Sequence, residues 1–213
     1  IPLIVDMQIR GHRIDRAFCK TESELLTKTY EYYYNKLVKV YGKFFNLNSP
    51  TDLRLLIKRA GIHITEKTPT GLVSTSKDIL SKFKDGYPVI QWVLNARSCE
   101  KQLSTYYTPL LNNYTSENNF TAHFSFYQSG TRSGRFSAEL IQTIPNKQDK
   151  TEVKNNVRRA FIPRDGYTNY YFDYDQQEMK LFVHFTENNT LIKAIKSGID
   201  PYIAAAIDMF GQE

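Results

Sequence analysis

Cysteine is scarce in this chain of 213 residues, which contains two, Cys19 and Cys99. Two cysteines far apart in sequence predict neither a disulfide framework nor a zinc site, and we expect both to be small core hydrophobes in a reducing compartment. No apolar run approaches the ~20 residues that span a bilayer, so no membrane protein is predicted. The N-terminus lacks an initiating Met and a basic region before a hydrophobic stretch. We therefore predict no signal peptide, interpret the chain as a processed, trimmed or internal piece of polypeptide, and expect it in the cytoplasm.

Acidic residues are outnumbered by basic ones, 22 Asp and Glu against 28 Lys and Arg, which gives a formal net charge of +6. A basic excess favours polyanionic partners, either nucleic acid or an anionic membrane surface. Hydrophobic residues make up 41% of the chain and charged residues 23%, which is ordinary for a globular protein with a buried core. The 15 Tyr and 13 Phe form an excess that an AT-rich genome explains.

The first half of the chain has the apolar spacing of helices. A stripe with alternating steps of four and three predicts a long helix over residues 21–44, and its members are Leu26, Tyr30, Tyr33, Leu37, Val40 and Phe44. Ser49, Pro50 and Asp52 predict a capped helix start, and Gly61 predicts its end. A further capped start is predicted over residues 74–78, with a stop at Gly86.

A second long helix is predicted to begin near Pro88. Its predicted apolar face consists of Val89, Trp92, Ala96, Cys99, Leu103 and Tyr106. Arg97, Lys101 and Ser104 follow one another at i, i+4 and i+7 on a different face. Taken alone, that polar row is better interpreted as a solvated surface than as a binding site.

The pattern changes after about residue 108. Alternation over Thr121–Tyr127 predicts a strand, and Gly130 and Gly134 bracket a turn. An exposed loop is predicted over residues 146–156, then a buried strand over residues 169–173, and then helices to the end of the chain. The predicted fold class is α+β, with helices over residues 1–110 and a mixed or antiparallel sheet with helices over residues 111–213.

The carboxylates that follow the predicted strand carry the strongest chemical signal. Asp173 ends the strand, and Asp175 and Glu178 follow within six residues. A carboxylate at a strand end is well placed to hold Mg²⁺, which takes hard oxygen ligands. Asp175 and Glu178 also suit a helix N-terminus, and for Asp175 we adopt that interpretation. Upstream, Arg132 and Arg135 lie on the glycine-bracketed turn, where arginines suit phosphates or base edges.

Four segments in this order resemble family A, the DNA polymerase I-like enzymes. That family has a Thr-x-x-Gly-Arg-x-Ser stretch, an Asn-Leu-Gln-Asn-Ile-Pro stretch, an Arg-x-Ala-Phe segment and an Asp-Tyr-Ser-Gln-x-Glu-Leu-Arg segment. The corresponding segments here are Thr131–Ser137, Leu140–Pro145, Arg158–Phe161 and Asp173–Lys180. Three upstream segments resemble the family's thumb motifs, namely Phe45–Pro50, Lys67–Thr75 and Arg97–Tyr106.

The resemblance implies a helical thumb over residues 1–110 and the first part of a palm over residues 111–213. The implied function is the N-terminal part of a template-directed DNA polymerase that adds deoxynucleotides to a primer 3′-end by two-metal phosphoryl transfer. The implied cofactor is Mg²⁺, with two ions in the complete enzyme. The implied partners are primer–template DNA and deoxynucleoside triphosphates.

The resemblance also implies residue roles. Asp173 would be a metal-binding aspartate, with the backbone carbonyl of Tyr174 as a further ligand. Glu178 would be a catalytic-site residue that excludes the ribose 2′-hydroxyl. Arg135, also counted as catalytic, would bind the incoming nucleotide together with Gln176 and Glu178. The implied DNA-binding residues are Lys67, Thr68, Arg97, Lys101, Ser104, Thr105, Arg132, Gln142, Arg158 and His184. The resemblance thus replaces the solvated-surface interpretation of the Arg97 row.

The chain departs from the family pattern at four places, which are Asp175 for Ser, Lys180 for Arg, Leu140 for Asn and Tyr202 for His. The segments Gln176–Glu178 and Asp200–Tyr202 resemble phage members more than cellular ones, so we expect the cytoplasm of a host cell. Lysine keeps the charge at 180 but loses the planar fork of arginine.

The fingers and the second catalytic aspartate follow these segments in the family and are expected to come from a second polypeptide or a downstream segment. We therefore expect the chain to be inactive alone and to expose apolar surface near its C-terminus. One alternative is a non-catalytic duplex-DNA-binding protein that retains the thumb and a vestigial palm. Another, a single-subunit RNA polymerase, is disfavoured by Glu178.

Overall fold

The computed structural model describes residues 2–42, 45–112, 120–145 and 151–211. The chain folds into two compact units, Ile1–Thr168 and Asn169–Glu213. This division lies further along the chain than the predicted thumb–palm boundary after residue 110. That boundary is a functional one, and it stays a prediction.

The first unit begins with helix α1 (Pro2–Arg10), the two-residue strand β1 (His12–Arg13) and the long helix α2 (Arg16–Tyr41). The Asp15 carboxylate caps α2 by accepting a 2.9 Å hydrogen bond from the Phe18 amide. The predicted stripe is buried at Leu26 and Leu37. It is wrong at Val40, which is 59% exposed in the last turn, and its last member, Phe44, lies outside the described residues.

Helix α3 (Pro50–Arg59) confirms the predicted capped start. Ser49 accepts a hydrogen bond from the Asp52 amide at 3.2 Å, and Pro50 occupies the first turn. The Asp52 carboxylate accepts from the Asn46 amide at 2.8 Å instead of from Ser49, so it holds the incoming loop. The helix ends just before Gly61, whose φ of +67° is in the left-handed region that glycine favours.

Helices α4 (Lys77–Ser81) and α5 (Pro88–Gln102) follow, and α5 continues through a π-helical turn (Leu103–Tyr107) into α6 (Thr108–Asn112). The apolar face predicted for α5 includes too few residues. The helix also buries Ile90, Val93, Leu94 and Asn95. Trp92, predicted to be central, is only partly buried at the edge of the core. The helix is covered on most sides because α2 and α4 both contact it.

Two hydrophobic clusters fill the first unit. One joins α3 and α4 to the last half of α2 and the first half of α5, around Leu37, Leu53, Leu80 and Val93. The other contains both cysteines and lies where the rest of α2 and α5 meet the strands. Cys19 and Cys99 are buried free thiols, as predicted. Burial raises the pKa of Cys19 to about 12 and that of Cys99 to about 11, so both stay protonated at neutral pH.

The strands are short and antiparallel. β1 pairs with β2 (Thr121–Ala122), and β3 (Phe126–Tyr127) pairs with β4 (Ser137–Ala138) in a hairpin. The predicted strand over Thr121–Tyr127 is thus divided between two small sheets. Gly130 in the hairpin loop lies against β4, because an added Cβ would meet the Ser137 hydroxyl, which would have to move. The fold class is α+β, as predicted.

One strand prediction and one loop prediction need correction. Residues 169–173, predicted to be a buried strand, form no regular secondary structure, and Phe172 is 91% exposed. β-Propensity does not form a strand without a neighbouring strand to complete its hydrogen bonds, and no described segment pairs with this one. In the loop predicted to be exposed, Val153 belongs to the second hydrophobic cluster. Residues 146–150 of that loop lie outside the described part of the chain.

The second unit contains α7 (Gln177–Thr186), α8 (Asn189–Lys196) and α9 (Pro201–Phe210). Its buried side chains are Val183, Leu191, Ala194 and Pro201. Asn188 caps α8 through the Leu191 amide at 3.1 Å. Within the described ranges of both units, no helix has the length and apolar character needed to cross a membrane.

The α3 cap gives the first testable prediction. We expect Ser49→Ala to lower the free energy of unfolding by about 1 kcal/mol, because the Asp52 amide loses its acceptor. Ser76→Ala is the matched control, since Ser76 stands at the same position of α4 without a side-chain capping bond. Urea titrations followed by circular dichroism measure both, and equal losses would contradict the prediction.

Candidate nucleic-acid and metal sites

A groove of about 350 Å³ runs along the end of α5 and brings four predicted DNA-binding residues together. It is lined by Asn48, Arg97, Glu100, Lys101, Ser104 and Thr105. Its second half lies in the π-helical turn, an irregularity that is frequent at functional sites. Asn48 and Glu100 lie within segments that resemble thumb motifs, but neither was assigned a role in a site, and they share a 2.9 Å hydrogen bond. Glu100 could have been found from its i+3 spacing to Arg97 on the same helix.

Arg97 is bound within the fold. Its Nε donates to the Leu47 carbonyl at 2.9 Å, and its Nη1 donates to the Thr75 carbonyl at 3.2 Å. Burial lowers the pKa of the Arg97 guanidinium, although it stays charged. One arginine therefore ties two separate loops to α5. Two of its five N–H donors face main-chain oxygens and are not available to a phosphate in this arrangement.

The other groove residues are more accessible. Lys101, Ser104 and Thr105 are exposed. The Ser104 hydroxyl donates to the Glu100 carbonyl at 2.8 Å within the helix. Lys101 therefore presents its ammonium to solvent beside the Glu100 carboxylate.

Lys67 and Thr68 lie in a tight hairpin. Lys67 forms an isolated antiparallel β-bridge with Val73, and the Thr68 amide donates to the Leu72 carbonyl at 2.7 Å. The Thr68 hydroxyl lies 2.9 Å from the Thr70 hydroxyl, so it helps to hold the turn. The Lys67 side chain is exposed.

The turn with the two arginines is closed by Thr131. The Thr131 hydroxyl accepts from the Arg135 amide at 2.9 Å and donates to the Arg135 carbonyl at 3.2 Å. Arg132 and Arg135 are both exposed on this turn. Two exposed arginines therefore lie on a turn whose backbone is fixed by one threonine.

Gln142 and Arg158 make contacts within the fold. The Gln142 Oε1 accepts from the Ala138 amide at 2.9 Å, and the Arg158 Nε donates to the Pro145 carbonyl at 2.9 Å. Gln142 supports the end of the β3–β4 hairpin, and Arg158 holds the segment that follows it. Their predicted DNA contacts stay predictions, to be made with the remaining hydrogen-bonding atoms.

In the second unit, Asp173 and Tyr174 are exposed, with 80% of Tyr174 accessible. Asp175 pairs with Lys180 at 3.1 Å across the start of α7. Glu178 is exposed in the first turn of that helix, and the predicted DNA-binding His184 is exposed near its end. Within residues 2–42, 45–112, 120–145 and 151–211, no three His, Cys, Asp or Glu side chains are grouped to hold a metal.

Gln176 holds the turn before α7, which carries Asp173 and Asp175. It adopts a left-handed φ of +50°, and its side-chain amide donates to Asp200 at 2.8 Å. The other Asp200 oxygen caps α9 by accepting from the Tyr202 amide at 2.8 Å. This contact ties the turn to α9 and was not predicted, although Asp200 before a proline is recognisable as a helix start.

The predicted site residues are therefore distributed over both units. The groove set and the Arg132–Arg135 turn belong to the first, and Asp173, Gln176 and Glu178 are neighbours in the second.

Comparison with known proteins identifies relatives of nearly the whole chain. A family model described as DNA polymerase family A matches residues 16–213. The chain is 30% identical to DNA polymerase I of Bacillus subtilis, over 98% of this chain and 24% of that protein. It is 30% identical to the thermostable DNA polymerase I of Thermus aquaticus, over 98% of this chain and 25% of that protein. The chain thus spans about a quarter of the length of the curated relatives that it matches.

A solved structure has the same fold. It is described as the POL domain of Pol1 from M. smegmatis in complex with DNA primer-template and dNTP. The TM-score is 0.76 at 26% sequence identity, over 99% of this chain and 37% of that chain.

The bonds of Arg97 give the second prediction. We expect Arg97→Lys to lower the free energy of unfolding by about 1.5–3 kcal/mol, because one ammonium cannot replace a fork that holds two carbonyls. Lysine keeps the positive charge, so a loss of stability would measure the geometry of the two hydrogen bonds and not the charge. Lys101→Ala is the comparison, with an expected change within about 0.5 kcal/mol since that side chain is exposed. Chemical denaturation measures both, and a smaller loss for Arg97→Lys than for Lys101→Ala would refute the assignment.

Proposed function

This chain belongs to DNA polymerase family A, and from that premise we propose that it forms the N-terminal part of the polymerase region of a template-directed DNA polymerase. Residues 1–110 would be the thumb, and residues 111–213 would be the first part of the palm. The reaction would be addition of deoxynucleotides to a primer 3′-end. A phage-like branch is favoured by Gln176–Glu178 and Asp200–Tyr202, which resemble the phage versions of these segments.

The observation that carries the proposal is that Asp173 is exposed on a turn that a hydrogen bond holds in place. Gln176 ties this turn to the cap of α9 through Asp200. The nearby Asp175 is paired with Lys180, whereas Asp173 keeps its carboxylate accessible. Such a braced, accessible carboxylate suits a metal-binding role, because a ligand must be held in place while it remains open to a substrate.

The ligand atoms present suit Mg²⁺. The Asp173 carboxylate and the Tyr174 carbonyl are hard oxygens, and Mg²⁺ commonly keeps waters and substrate phosphates beside one or two carboxylates. We assign both residues to metal binding and expect two ions in the complete enzyme. When bound, the ions would supply neutralisation of phosphate charge. A further carboxylate would have to come from a second polypeptide or a downstream segment.

The nucleotide-binding residues are assigned from the family resemblance. We assign Glu178 to exclusion of the ribose 2′-hydroxyl and Arg135 to contacts with the incoming nucleotide. Gln176 would act mainly by positioning the turn, since its amide already donates to Asp200.

Duplex DNA would lie against the first unit. Four exposed residues are suited to phosphates, namely Lys101 and Thr105 in the groove, Lys67 on the hairpin and Arg132 on the glycine-bracketed turn. Ser104, Gln142, Arg158 and His184 are assigned to DNA binding from the family resemblance. Thr68 and Arg97 would support the DNA-binding surface by holding the hairpin and the two loops.

Exposed apolar side chains on the second unit support an incomplete palm. Tyr170 and Phe172 are exposed before α7, and Ile203, Met209 and Phe210 are exposed on α9. Apolar surface of this extent commonly marks an interface with other protein. We propose that the remaining part of the polymerase region covers it.

The decisive test is primer extension by this chain supplemented with the C-terminal part of the polymerase region from the same genome. We expect extension in the presence of Mg²⁺ and deoxynucleotides, and loss of at least about a hundredfold in Asp173→Ala. Asp175→Ala is the matched control, because it removes an exposed aspartate two positions away whose bond is to Lys180.

Equal activity of the two variants would refute the assignment of Asp173. Absence of extension by the wild type, combined with duplex binding and no Mg²⁺-dependent nucleotide binding, would instead support the alternative, a non-catalytic duplex-DNA-binding protein.

The groove gives a separate prediction about DNA affinity. Each phosphate contact contributes about −0.9 to the slope of log K against log salt for duplex DNA. We expect Lys101→Ala to make that slope less negative by about 0.9, and Lys20→Ala to leave it unchanged. Lys20 is an exposed lysine of α2 that does not line the groove. Fluorescence anisotropy of a labelled duplex at several salt concentrations measures both, and equal slopes for both variants would contradict the prediction.

A further inference from the structure

A second cavity lies on the opposite side of α5 from the groove. It has a volume of about 400 Å³ and is lined by Tyr32, Tyr33, Lys36, Lys84, Asp85, Pro88, Gln91, Trp92 and Glu152. Trp92 and Lys101 are nine positions apart on α5, which is roughly 180° at 100° per residue. The two sites therefore face in opposite directions, and all their residues belong to the first unit.

Two aromatic side chains of this cavity, Tyr32 and Trp92, lie close to the same ammonium, that of Lys36. The Lys36 Nζ lies 4.3 Å from the centroid of the Tyr32 ring and 5.1 Å from that of Trp92. Cation–π attraction to two rings fixes the lysine and limits the rotation of both rings. Tyr32 nevertheless remains 55% exposed, so an aromatic face is open to a ligand next to a fixed positive charge.

Another part of the cavity wall is fixed by hydrogen bonds that converge on the buried Asn95 and the exposed Glu152. The Glu152 carboxylate accepts from the Tyr33 hydroxyl at 3.0 Å and from the Asn95 amide at 2.8 Å. Asn95 is fully buried, and its Oδ1 accepts from the Gln91 amide at 2.8 Å. A satisfied polar network of this kind rigidifies its members. Glu152 and Gln91 are thereby held at the cavity wall with further hydrogen-bonding capacity, and Asp85 adds a second carboxylate.

We propose that this cavity binds one unpaired nucleotide of a single-stranded nucleic acid. Bases stack on aromatic side chains while the backbone follows positive charge, which is the pairing that Tyr32, Trp92 and Lys36 offer. Carboxylates accept hydrogen bonds from exocyclic amino groups such as that of cytosine, which gives Asp85 and Glu152 a role. A paired base cannot present its face in this way, so duplex DNA is excluded. The volume is in the lower part of the range for small-ligand sites, which suits a single nucleotide.

A nucleotide fits the chemistry of the cavity better than the other candidates do. An acidic peptide or an anionic membrane surface offers no aromatic face for Tyr32 and no amino group for Asp85 and Glu152, whereas a nucleotide can place its base against these residues and its phosphate toward Lys36. An organic cation would compete with Lys36, which already occupies the region between the two rings. The cavity shares no lining residue with the groove and does not include Asp173, so its occupancy does not depend on polymerase activity.

Trp92 makes the test direct, since it is the one tryptophan in the sequence. The 213-residue chain is titrated with an oligodeoxycytidylate of about eight nucleotides while the tryptophan fluorescence is recorded. We expect saturable quenching that persists when the groove is occupied by duplex DNA. We also expect weaker binding of oligothymidylate, which lacks the amino group.

Four substitutions separate the contribution of the Tyr32 ring, that of the Lys36 charge and general effects on the protein. Tyr32→Leu is expected to weaken binding by about five- to 150-fold, whereas Tyr32→Phe keeps the ring and the affinity. Lys36→Ala is expected to make the slope of log K against log salt less negative by about 0.7, and Lys20→Ala to leave it unchanged. Thermal unfolding by circular dichroism checks that each variant folds.

Unchanged tryptophan fluorescence in the presence of the oligonucleotide would overturn the proposal. So would equal affinities of Tyr32→Leu and the wild type, or quenching that duplex DNA abolishes. Quenching by an acidic peptide without quenching by the oligonucleotide would assign the cavity to a protein partner and reject a nucleic acid.

Discussion

The packing of α2 against α5 is the interaction on which the first unit depends. These two helices meet along most of the length of α5, and both hydrophobic clusters include residues from each of them. Burial of the apolar side chains between them supplies the main driving force for the unit. A helix covered on most sides has few positions left for polar groups. Most polar side chains of α5 therefore find a partner inside the fold or lie at an edge, although the buried Gln102 Oε1 has no partner among the described residues.

Asn95 and Arg97 meet this constraint in different ways. Asn95 is completely buried and binds Glu152, which draws the segment after residue 150 against the helix. Arg97 is partly buried and binds the carbonyls of Leu47 and Thr75, which draws two more loops against it. Loss of the Arg97 side chain would leave the carbonyl of the buried Leu47 without this hydrogen bond, at a cost above that of a lost surface contact. The polar residues of α5 thus hold three loops, two of which contribute lining residues, Asn48 to the groove and Glu152 to the second cavity.

The features that local rules determine were predictable from the sequence. Ser49 and Gly61 mark the ends of α3 because capping and left-handed termination depend on a few adjacent residues. The order and spacing of the motifs led to the family, which the comparisons confirm. Features that depend on partners distant in sequence were not predictable. Val153 is buried because the second cluster receives it, and Phe172 is exposed because no described strand pairs with its segment.

The same distinction applies to the charged residues of the groove. Spacing on a helix places Arg97 and Lys101 near each other, but it does not show which of the two side chains already forms hydrogen bonds within the fold. Arg97 directs donors to main-chain carbonyls, and Glu100 lies beside Lys101, so the groove has less free positive charge than its sequence indicates. Phosphate affinity of a surface scales with the number of cations that release counterions. Strong duplex binding would therefore require several separated cations, with Lys67 and Arg132 contributing as much as Lys101. Affinity that is distributed in this way does not depend on base sequence, as a template-directed enzyme requires.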